Sequence, residues 1–206
     1  VNFMNLIAID TSTDWCGISF FYKNECKILI EKSIPKKHSE FLPLFYQEIE
    51  KDQNFDKKLL NAIAVSIGPG SFTGLRIGLG FAKGLAYALK IPVIPVPTLQ
   101  VIANNPLNKL TDYYVYLYSH RDIVYAQKFK KRKPLNEPKA FSWKELKQNL
   151  DAIHYGCQKL PNAENYLSIH PSALAVGELA LKNYELWKIE EPYTLASNYI
   201  SPFELG

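Results

Sequence analysis

The chain has 206 residues, of which 47% are hydrophobic and 21% are charged, the composition of an ordinary folded protein rather than a disordered one. Its 24 basic and 20 acidic side chains leave a net charge of +4, well short of the excess found in dedicated nucleic-acid-binding proteins. The three cysteines form no CxxC pair, which argues against a zinc knuckle or a disulfide framework. No apolar run approaches the roughly 20 residues needed to span a bilayer, and no signal peptide is evident, so we expect a cytoplasmic protein without membrane contact.

The N-terminal half begins with β-rich segments and a helix. Residues 6–9 form a continuous apolar run, typical of a strand covered on both faces. Two further β-rich runs at 17–22 and 27–31 complete a predicted three-strand meander. Apolar residues then recur at helical spacing from Phe41 to Ile49, which predicts an amphipathic helix.

A strand, a glycine loop and a long helix follow. Residues 62–67 predict a buried strand that enters the loop 68–74, and a helix runs from there to about Leu89. Residues 93–96 start another short strand. This strand, loop and helix order is the local arrangement from which anion sites are often built.

The second half has a different texture, and we place the boundary near residues 104–108, where Asn-Asn-Pro interrupts the pattern. The sequence therefore predicts two lobes, one over residues 1–105 and a smaller one over residues 106–206. The elements predicted in the second lobe are paired strands at 113–118 and 123–129, a helix at 142–150, a strand end at 153–156 and a helix at 172–184.

The glycines are concentrated in one place, because six of the ten fall between residues 68 and 84. The spacing matches neither GxGxxG nor GxxxxGK, and Pro69 and Thr73 stand where a nucleophile elbow would need glycine. Two interpretations stay open: a loop that contacts phosphate, or a tight structural turn whose glycines supply positive φ.

The helix after the loop carries two ribbons of small residues. Gly74, Gly78 and Ala82 continue one ribbon, and Gly80 and Gly84 belong to the next. Since glycine inside a helix costs about 1 kcal/mol relative to alanine, we expect close packing to offset that cost. The helix is either an internal core helix or one side of a subunit interface.

Three segments together resemble the TsaB family. They are Leu6-Ile-Ala-Ile-Asp-Thr-Ser-Thr13, His38-Ser-Glu-Phe-Leu-Pro43 and Ile67-Gly-Pro-Gly-Ser-Phe-Thr-Gly-Leu-Arg-Ile-Gly-Leu-Gly80, followed by Ile91-Pro-Val-Ile-Pro-Val-Pro-Thr-Leu99. The resemblance is dense from residue 4 to about residue 103 and thin beyond. In the second lobe this chain reads Ser119-His120-Arg121 where the family usually shows Asp-Ala-Arg.

The resemblance implies an α/β fold of the two-lobed actin-like, sugar-kinase type, with mixed sheets flanked by helices and a reduced second lobe. It also implies a non-catalytic subunit without a cofactor that pairs with the transferase TsaD, which places threonylcarbamoyl on adenosine 37 of tRNA. A TsaE-type ATPase would join the complex, a homodimer is possible for the free chain, and tRNA would be reached only through the complex. The expected partner-binding residues are Phe41, Leu42, Phe45, Ile49, Leu75, Arg76, Gly78, Leu79, Ala82 and Lys83.

Missing groups agree with a non-catalytic role. The transferase relatives hold a metal with two histidines four residues apart, whereas this chain has His38 followed by Leu42, so no metal site is expected. Thr11 to Thr13 also lack the glycine that would let a nucleotide phosphate approach. The candidate contacts, should a phosphate or nucleotide bind, are Asp10, Thr11, Ser12, Gly68, Gly70 and Ser71.

The sequence leaves open two alternative functions and the role of one basic segment. An ATP-binding phosphotransferase would use Asp10 and the glycine loop to hold nucleotide, and a glycoprotease-like hydrolase is the least favoured alternative. The dense basic run at 128–133 is either a solvated hairpin end or a contact for tRNA phosphates.

Overall fold

The computed structural model describes residues 3–146 and 151–196. Strands and helices alternate through the first hundred residues, and strands dominate the next seventy. The strands are β1 Leu6–Asp10, β2 Trp15–Tyr22, β3 Glu25–Ser33, β4 Ala62–Gly68, β5 Val93–Pro97, β6 Asp112–His120, β7 Ile123–Lys130, β8 Lys133–Pro134, β9 Lys139–Ser142, β10 Ala152–Tyr155 and β11 Leu167–Ser168. The α-helices are α1 His38–Ile49, α2 Phe72–Leu89, α3 Thr98–Asn104 and α4 Ala173–Trp187.

The first sheet has the strand order β3-β2-β1-β4-β5. Strands β1, β2 and β3 form the predicted antiparallel meander, and β1, β4 and β5 run parallel. Ile9 pairs with Ile18 on one side and with Val65 on the other, so β1 lies at the centre. Every residue of β1 is buried, which confirms the prediction that residues 6–9 form a strand covered on both faces.

Two helical layers cover this sheet. On one face, Leu42 and Phe45 of α1 and Leu79 of α2 pack against the apolar side chains of the central strands. On the other face, Ala175 and Val176 of α4 do the same, together with part of α3. Helix α4 follows the second sheet in the chain and returns to cover the first.

The second sheet has the order β11-β10-β6-β7-β8, with β9 also paired to β7. The predicted strands at 113–118 and 123–129 are confirmed as the hairpin β6–β7. The predicted helix at 142–150 is wrong over its described part, because β9 extends to Ser142 and only a short 3-10 turn, Trp143–Glu145, follows. Residues 147–150 of that helix lie outside the described residues.

Two mixed sheets with flanking helices confirm the predicted α/β fold class. The connections between the lobes touch, since the side chain of Asn105 donates to the carbonyl oxygen of His170 at 3.4 Å. The division of the chain at residue 105 stays a prediction. Within the described ranges, no helix is long and apolar enough to cross a membrane.

Candidate partner-docking site

The loop after β1 and the glycine loop after β4 press against each other at the start of α2. An added Cβ at Gly70 would overlap the carbonyl oxygen of Ser12, and one at Gly74 would overlap that of Thr11. The amide of Ser71 donates to the same Ser12 carbonyl at 2.7 Å. These glycines therefore let one part of the chain approach another closely.

Asp10 ends β1 beneath these loops and is 1% exposed. Its carboxylate accepts from the Ser12 amide at 3.1 Å, from the Ser12 hydroxyl at 3.0 Å and from the Ser66 hydroxyl. Burial raises the pKa of Asp10 above its ordinary value, and the hydrogen bonds from Ser66 and Ser12 only partly oppose that effect. The carboxylate of Asp10 is thus already hydrogen-bonded to neighbouring hydroxyl and amide groups.

The first turn of α2 is capped from within the chain. The hydroxyl of Ser71 accepts from the Gly74 amide at 3.2 Å, as an N-cap residue does, and the hydroxyl of Thr11 donates to the Gly74 carbonyl at 2.8 Å. The structure brings the six candidate phosphate contacts into one region; they are Asp10, Thr11, Ser12, Gly68, Gly70 and Ser71. Ser12 is hydrogen-bonded to Asp10 and to the amide of Ser71, and Thr11 is hydrogen-bonded to Gly74. Their role toward a nucleotide stays a prediction.

A cleft of about 1540 Å³ separates the lobes beside this region. Ser12 and Ser71 line it from the first lobe, and His120 and Arg121 line it from the second. His38 also lines the cleft, but its Nε2 lies 3.1 Å from the carbonyl oxygen of Trp15. Among the described residues, no group of three or more histidine, cysteine or acidic side chains could hold a metal ion.

The two ribbons of small residues on α2 have different surroundings. Gly78 is buried, and an added Cβ there would overlap the Thr11 hydroxyl oxygen. Gly80 and Gly84 are exposed, and an added Cβ at either would meet nothing within 4 Å. One ribbon therefore serves the internal packing of the first lobe, whereas the other faces open space.

Most of the side chains expected at the docking surface lie in the core and cannot themselves touch a partner in this conformation. The buried ones are Leu42, Phe45, Ile49, Leu75, Gly78, Leu79 and Ala82. Phe41 and Lys83 are half-buried, and Arg76 is exposed with its guanidinium 3.7 Å from the centre of the Phe72 ring. The amphipathic pattern in the sequence identified the face of the helices that packs on the sheet. The exposed face opposite could be defined only from the structure.

The outward face of α1 and α2 forms a continuous surface that sequence reasoning missed, and we call it the outer face. Tyr46 of α1 and Phe81 of α2 join the two helices through an edge-to-face ring contact with centroids 5.7 Å apart. Exposed large side chains on these two helices include Leu44, 47% exposed, and Tyr87, 74% exposed. The sequence signal available was the second glycine ribbon itself.

Lys83 forms hydrogen bonds within the chain, and its expected role in partner binding stays a prediction. Its Nζ donates to the carbonyl oxygens of Tyr193 at 3.1 Å and Leu195 at 3.0 Å. Leu195 also packs against the cluster between α1, α2 and the first sheet. Lys83 therefore fixes the end of the described chain against α2.

Two mixed sheets with flanking helices, and a first loop pressed onto a glycine-bearing helix, define a two-sheet α/β protein. A family model described as TsaD: tRNA N6-adenosine threonylcarbamoyltransferase matches residues 32–137, just over half of the chain. A TsaB protein from Haemophilus influenzae is 30% identical over 146 residues, which cover 69% of this chain and 61% of that protein. TsaB from Escherichia coli is 35% identical over 106 residues, 52% of this chain and 46% of that protein.

A solved structure supports the same assignment at the level of the fold. It is described as an uncharacterized protein with similarity to peptidase YEAZ from Pseudomonas aeruginosa, and it superposes with a TM-score of 0.84. At 21% identity it covers 96% of this chain and all of that one. The chain belongs to the TsaB family, and it spans 61% of the length of each of the two curated relatives from Haemophilus influenzae and Buchnera aphidicola subsp. Acyrthosiphon pisum.

Proposed function

We propose that this chain acts in the biosynthesis of threonylcarbamoyladenosine in tRNA, as a non-catalytic subunit that binds a TsaD-type transferase. The curated relatives carry the name of that biosynthesis, and the family model that matches residues 32–137 is that of the transferase. The matched range includes α1 and α2. A partner of the same family would therefore present an equivalent pair of helices, which suits a pairing close to twofold symmetry.

The observation that carries this proposal is the pair of exposed glycines on the outer face. Gly80 and Gly84 lie within an 18-residue helix, where each costs about 1 kcal/mol relative to alanine. In the described part of the chain, no contact requires the absence of a side chain at either position. Packed helices usually have their axes about 8–10 Å apart. A partner helix that lies closer to α2 than that would require positions without a side chain.

The surroundings of the glycines suit a protein partner. Ile77, Phe81 and Leu85 are half-buried on α2 and leave part of their apolar surface exposed. Tyr87 adds an aromatic ring of a kind enriched at protein interfaces. The same face would accept a second copy of this chain when the transferase is absent, and joining by a TsaE-type ATPase stays a prediction.

The phosphotransferase alternative is disfavoured by the state of Asp10. A metal-orienting or nucleotide-orienting carboxylate must reach the cleft, whereas Asp10 is buried and bonded to Ser12 and Ser66. ATP turnover by the purified chain that is lost on Asp10→Asn would support the alternative instead. The hydrolase alternative gains nothing, since Ser71 caps α2 and no described hydrogen bond links it to a histidine.

Docking is tested by co-expression with the TsaD-type paralogue of the same organism, followed by co-purification and size-exclusion chromatography. We expect a one-to-one complex with the natural chain and its loss in Gly80→Leu and Gly84→Leu, because each new side chain would occupy the space of the partner helix. Both variants should fold, since both positions are exposed, an added Cβ there meets no described residue within 4 Å, and leucine favours helix.

The matched control is Lys182→Leu, which adds a leucine to an exposed position of α4 on the opposite face of the first sheet. That variant should keep the complex. A complex that survives both glycine changes would refute the docking face, and failure of the natural chain to bind would refute the partnership. Depletion of the protein should remove threonylcarbamoyladenosine from cellular tRNA, as measured by nucleoside mass spectrometry.

A further inference from the structure

The basic run lies on a hairpin at the edge of the second sheet. Strands β7 and β8 are joined by Lys131 and Arg132, with Lys130 paired to Lys133 across the hairpin. Lys131 and Arg132 both have positive φ, 49° and 64°. Residues 130–133 are all exposed, so four consecutive cations project from one tip, which we call the basic hairpin.

This hairpin departs from local preferences in two ways. Two-residue turns with positive φ at both central positions favour asparagine, aspartate and glycine, and here they hold a lysine and an arginine. Like charges directly opposite each other across two strands are also destabilising, and Lys130 faces Lys133. Departures from local preferences of this kind concentrate at functional sites.

The charge of the hairpin is largely uncompensated. Lys128 pairs with Asp112 at 3.3 Å, but Lys130, Lys131 and Lys133 form no ion pair with a carboxylate in the described part of the chain. A second acidic side chain, Glu178 of α4, interacts with the charge of Arg132. Burial raises the pKa of Glu178, and the positive charge of Arg132 opposes that shift.

Residues 109–112 and 128–133 together carry more positive charge than the chain as a whole. Residues 109–112 lie beside the hairpin and add Lys109 and Asp112, so the region holds six basic side chains and one acidic one. Taking them from the totals of 24 and 20 leaves 18 basic and 19 acidic side chains, a net charge of −1 for the remainder. A region with this excess of positive charge attracts a polyanion.

Two hydrogen bonds attach the tip of the hairpin to the segment that precedes β6. The amide of Lys131 donates to the Thr111 carbonyl at 2.7 Å, and the guanidinium of Arg132 donates to the Asn108 carbonyl at 3.2 Å. The interlobe cleft reaches Tyr125, five residues along β7 from Lys130, about 17 Å away along the strand. The basic hairpin is therefore separate from the cleft.

We propose that the basic hairpin binds the phosphate backbone of tRNA when the assembled complex engages its substrate. This inference rests on the proposed function for the identity of the RNA, and on the charge and geometry of the hairpin for the contact. Lysines contact phosphates without distinguishing one base from another. The exposed lysines of the basic hairpin would therefore contribute affinity and orientation, not sequence specificity.

The test uses fluorescence anisotropy with a labelled, unmodified tRNA transcript and the assembled complex of this chain with its transferase partner. The variant carries Lys130→Gln, Lys131→Gln and Lys133→Gln, and the matched control carries Lys57→Gln, Lys58→Gln and Lys182→Gln, which remove the same charge from exposed sites elsewhere. We expect the hairpin variant to bind about 10- to 100-fold more weakly near 0.1 M salt and the slope of log affinity against log salt to fall by about 2.

The outcomes separate this inference from the proposed function. Equal weakening by both triple variants, or by neither, overturns the hairpin contact while leaving the partnership intact. If the complex does not form, the proposed function fails, and the same titration with the isolated chain still tests the hairpin. Binding to anionic lipid vesicles with the same dependence on the three lysines, and none to tRNA, would overturn RNA as the ligand.

Discussion

Asp10 shows how one buried carboxyl group can be structural where related folds would use it for catalysis. It closes the first strand and binds Ser66 of the neighbouring parallel strand and Ser12 of the following loop. The three groups hold the loop in the position at which Thr11 and Ser12 meet α2. The carboxyl group therefore stabilises the starting point of that helix.

We predict that the stability of Asp10→Asn relative to the natural protein increases as pH rises. Burial raises the pKa of Asp10 in the folded state above its ordinary value of 3.8, so the folded protein retains a proton that the unfolded chain releases. The natural protein therefore loses stability as pH rises from about 4 through the raised pKa, and the loss is complete above it. The asparagine variant has no such group.

The measurement is the free energy of urea unfolding of both proteins from about pH 4 to about pH 8. The difference between them should grow with pH and then level off, and the variant should still bind the transferase. A difference that is constant over the whole range would mean that the pKa of Asp10 is the same in the folded and unfolded chains.

At the scale of elements, α2 separates packing from docking by the direction in which each glycine faces. We predict opposite effects of the same substitution two residues apart. Gly78→Ala should lower the free energy of unfolding by about 1 to 3 kcal/mol, because its Cβ overlaps the Thr11 hydroxyl. Gly80→Ala should raise it by about 1 kcal/mol, because its Cβ lies in open space and alanine favours helix.

Urea unfolding of the two variants beside the natural chain checks this prediction. Destabilisation by Gly80→Ala would mean that this position is packed within the chain and would remove the main support for the outer face. A neutral Gly78→Ala would mean that the loop holding Thr11 can move away from α2 without cost.

Long elements with a strong pattern could be predicted from the sequence. The apolar runs of β1 and β4 and the helical spacing of α1 located their elements, because burial on one or two faces determines the order of residues along them. The glycine loop before α2 was located for the same reason. The candidate site was found only to the level of the two helices.

Elements that depend on distant contacts could not be predicted. Trp143 begins a predicted helix, yet its amide donates to the Asp122 carbonyl at 2.7 Å and its ring nitrogen donates to the Pro161 carbonyl at 2.8 Å. These contacts favour a strand followed by a short turn. Helix α3 has only seven residues and was missed, because a segment so short gives little periodicity.

At the scale of the whole molecule, two groups of contacts join the lobes beside the cleft. The hydroxyl of Tyr155 donates to the Asp14 carboxylate at 2.5 Å. Glu31 accepts from the Ala173 amide at 2.6 Å and lies 3.6 Å from His170, whose ring stacks on Trp15. Residues of the first sheet are thereby bonded to the second sheet and to the segment that leaves it.

We predict that Tyr155→Phe loosens the junction of the lobes without unfolding either one. The loss of one exposed hydrogen bond to a carboxylate should lower the free energy of unfolding by about 1 kcal/mol. Hydrogen exchange measured by mass spectrometry should become faster at residues 11–14. The control is Tyr118→Phe on the cleft wall, whose hydroxyl bonds to no residue in the described part of the chain, and equal exchange in both variants would contradict the prediction.

The return of α4 to the first sheet has a consequence for synthesis. One face of that sheet, with Leu6, Ala8 and Ile94, is covered by part of α3 and by α4, which follows the whole second sheet in the chain. As the chain grows from its N-terminus, the part of that face under α4 stays open to water until residues 173–187 have emerged, whereas residues 112–168 can pair as soon as they are made. A chain cut before α4 would therefore expose an aggregation-prone apolar sheet, although every strand of both sheets would be present.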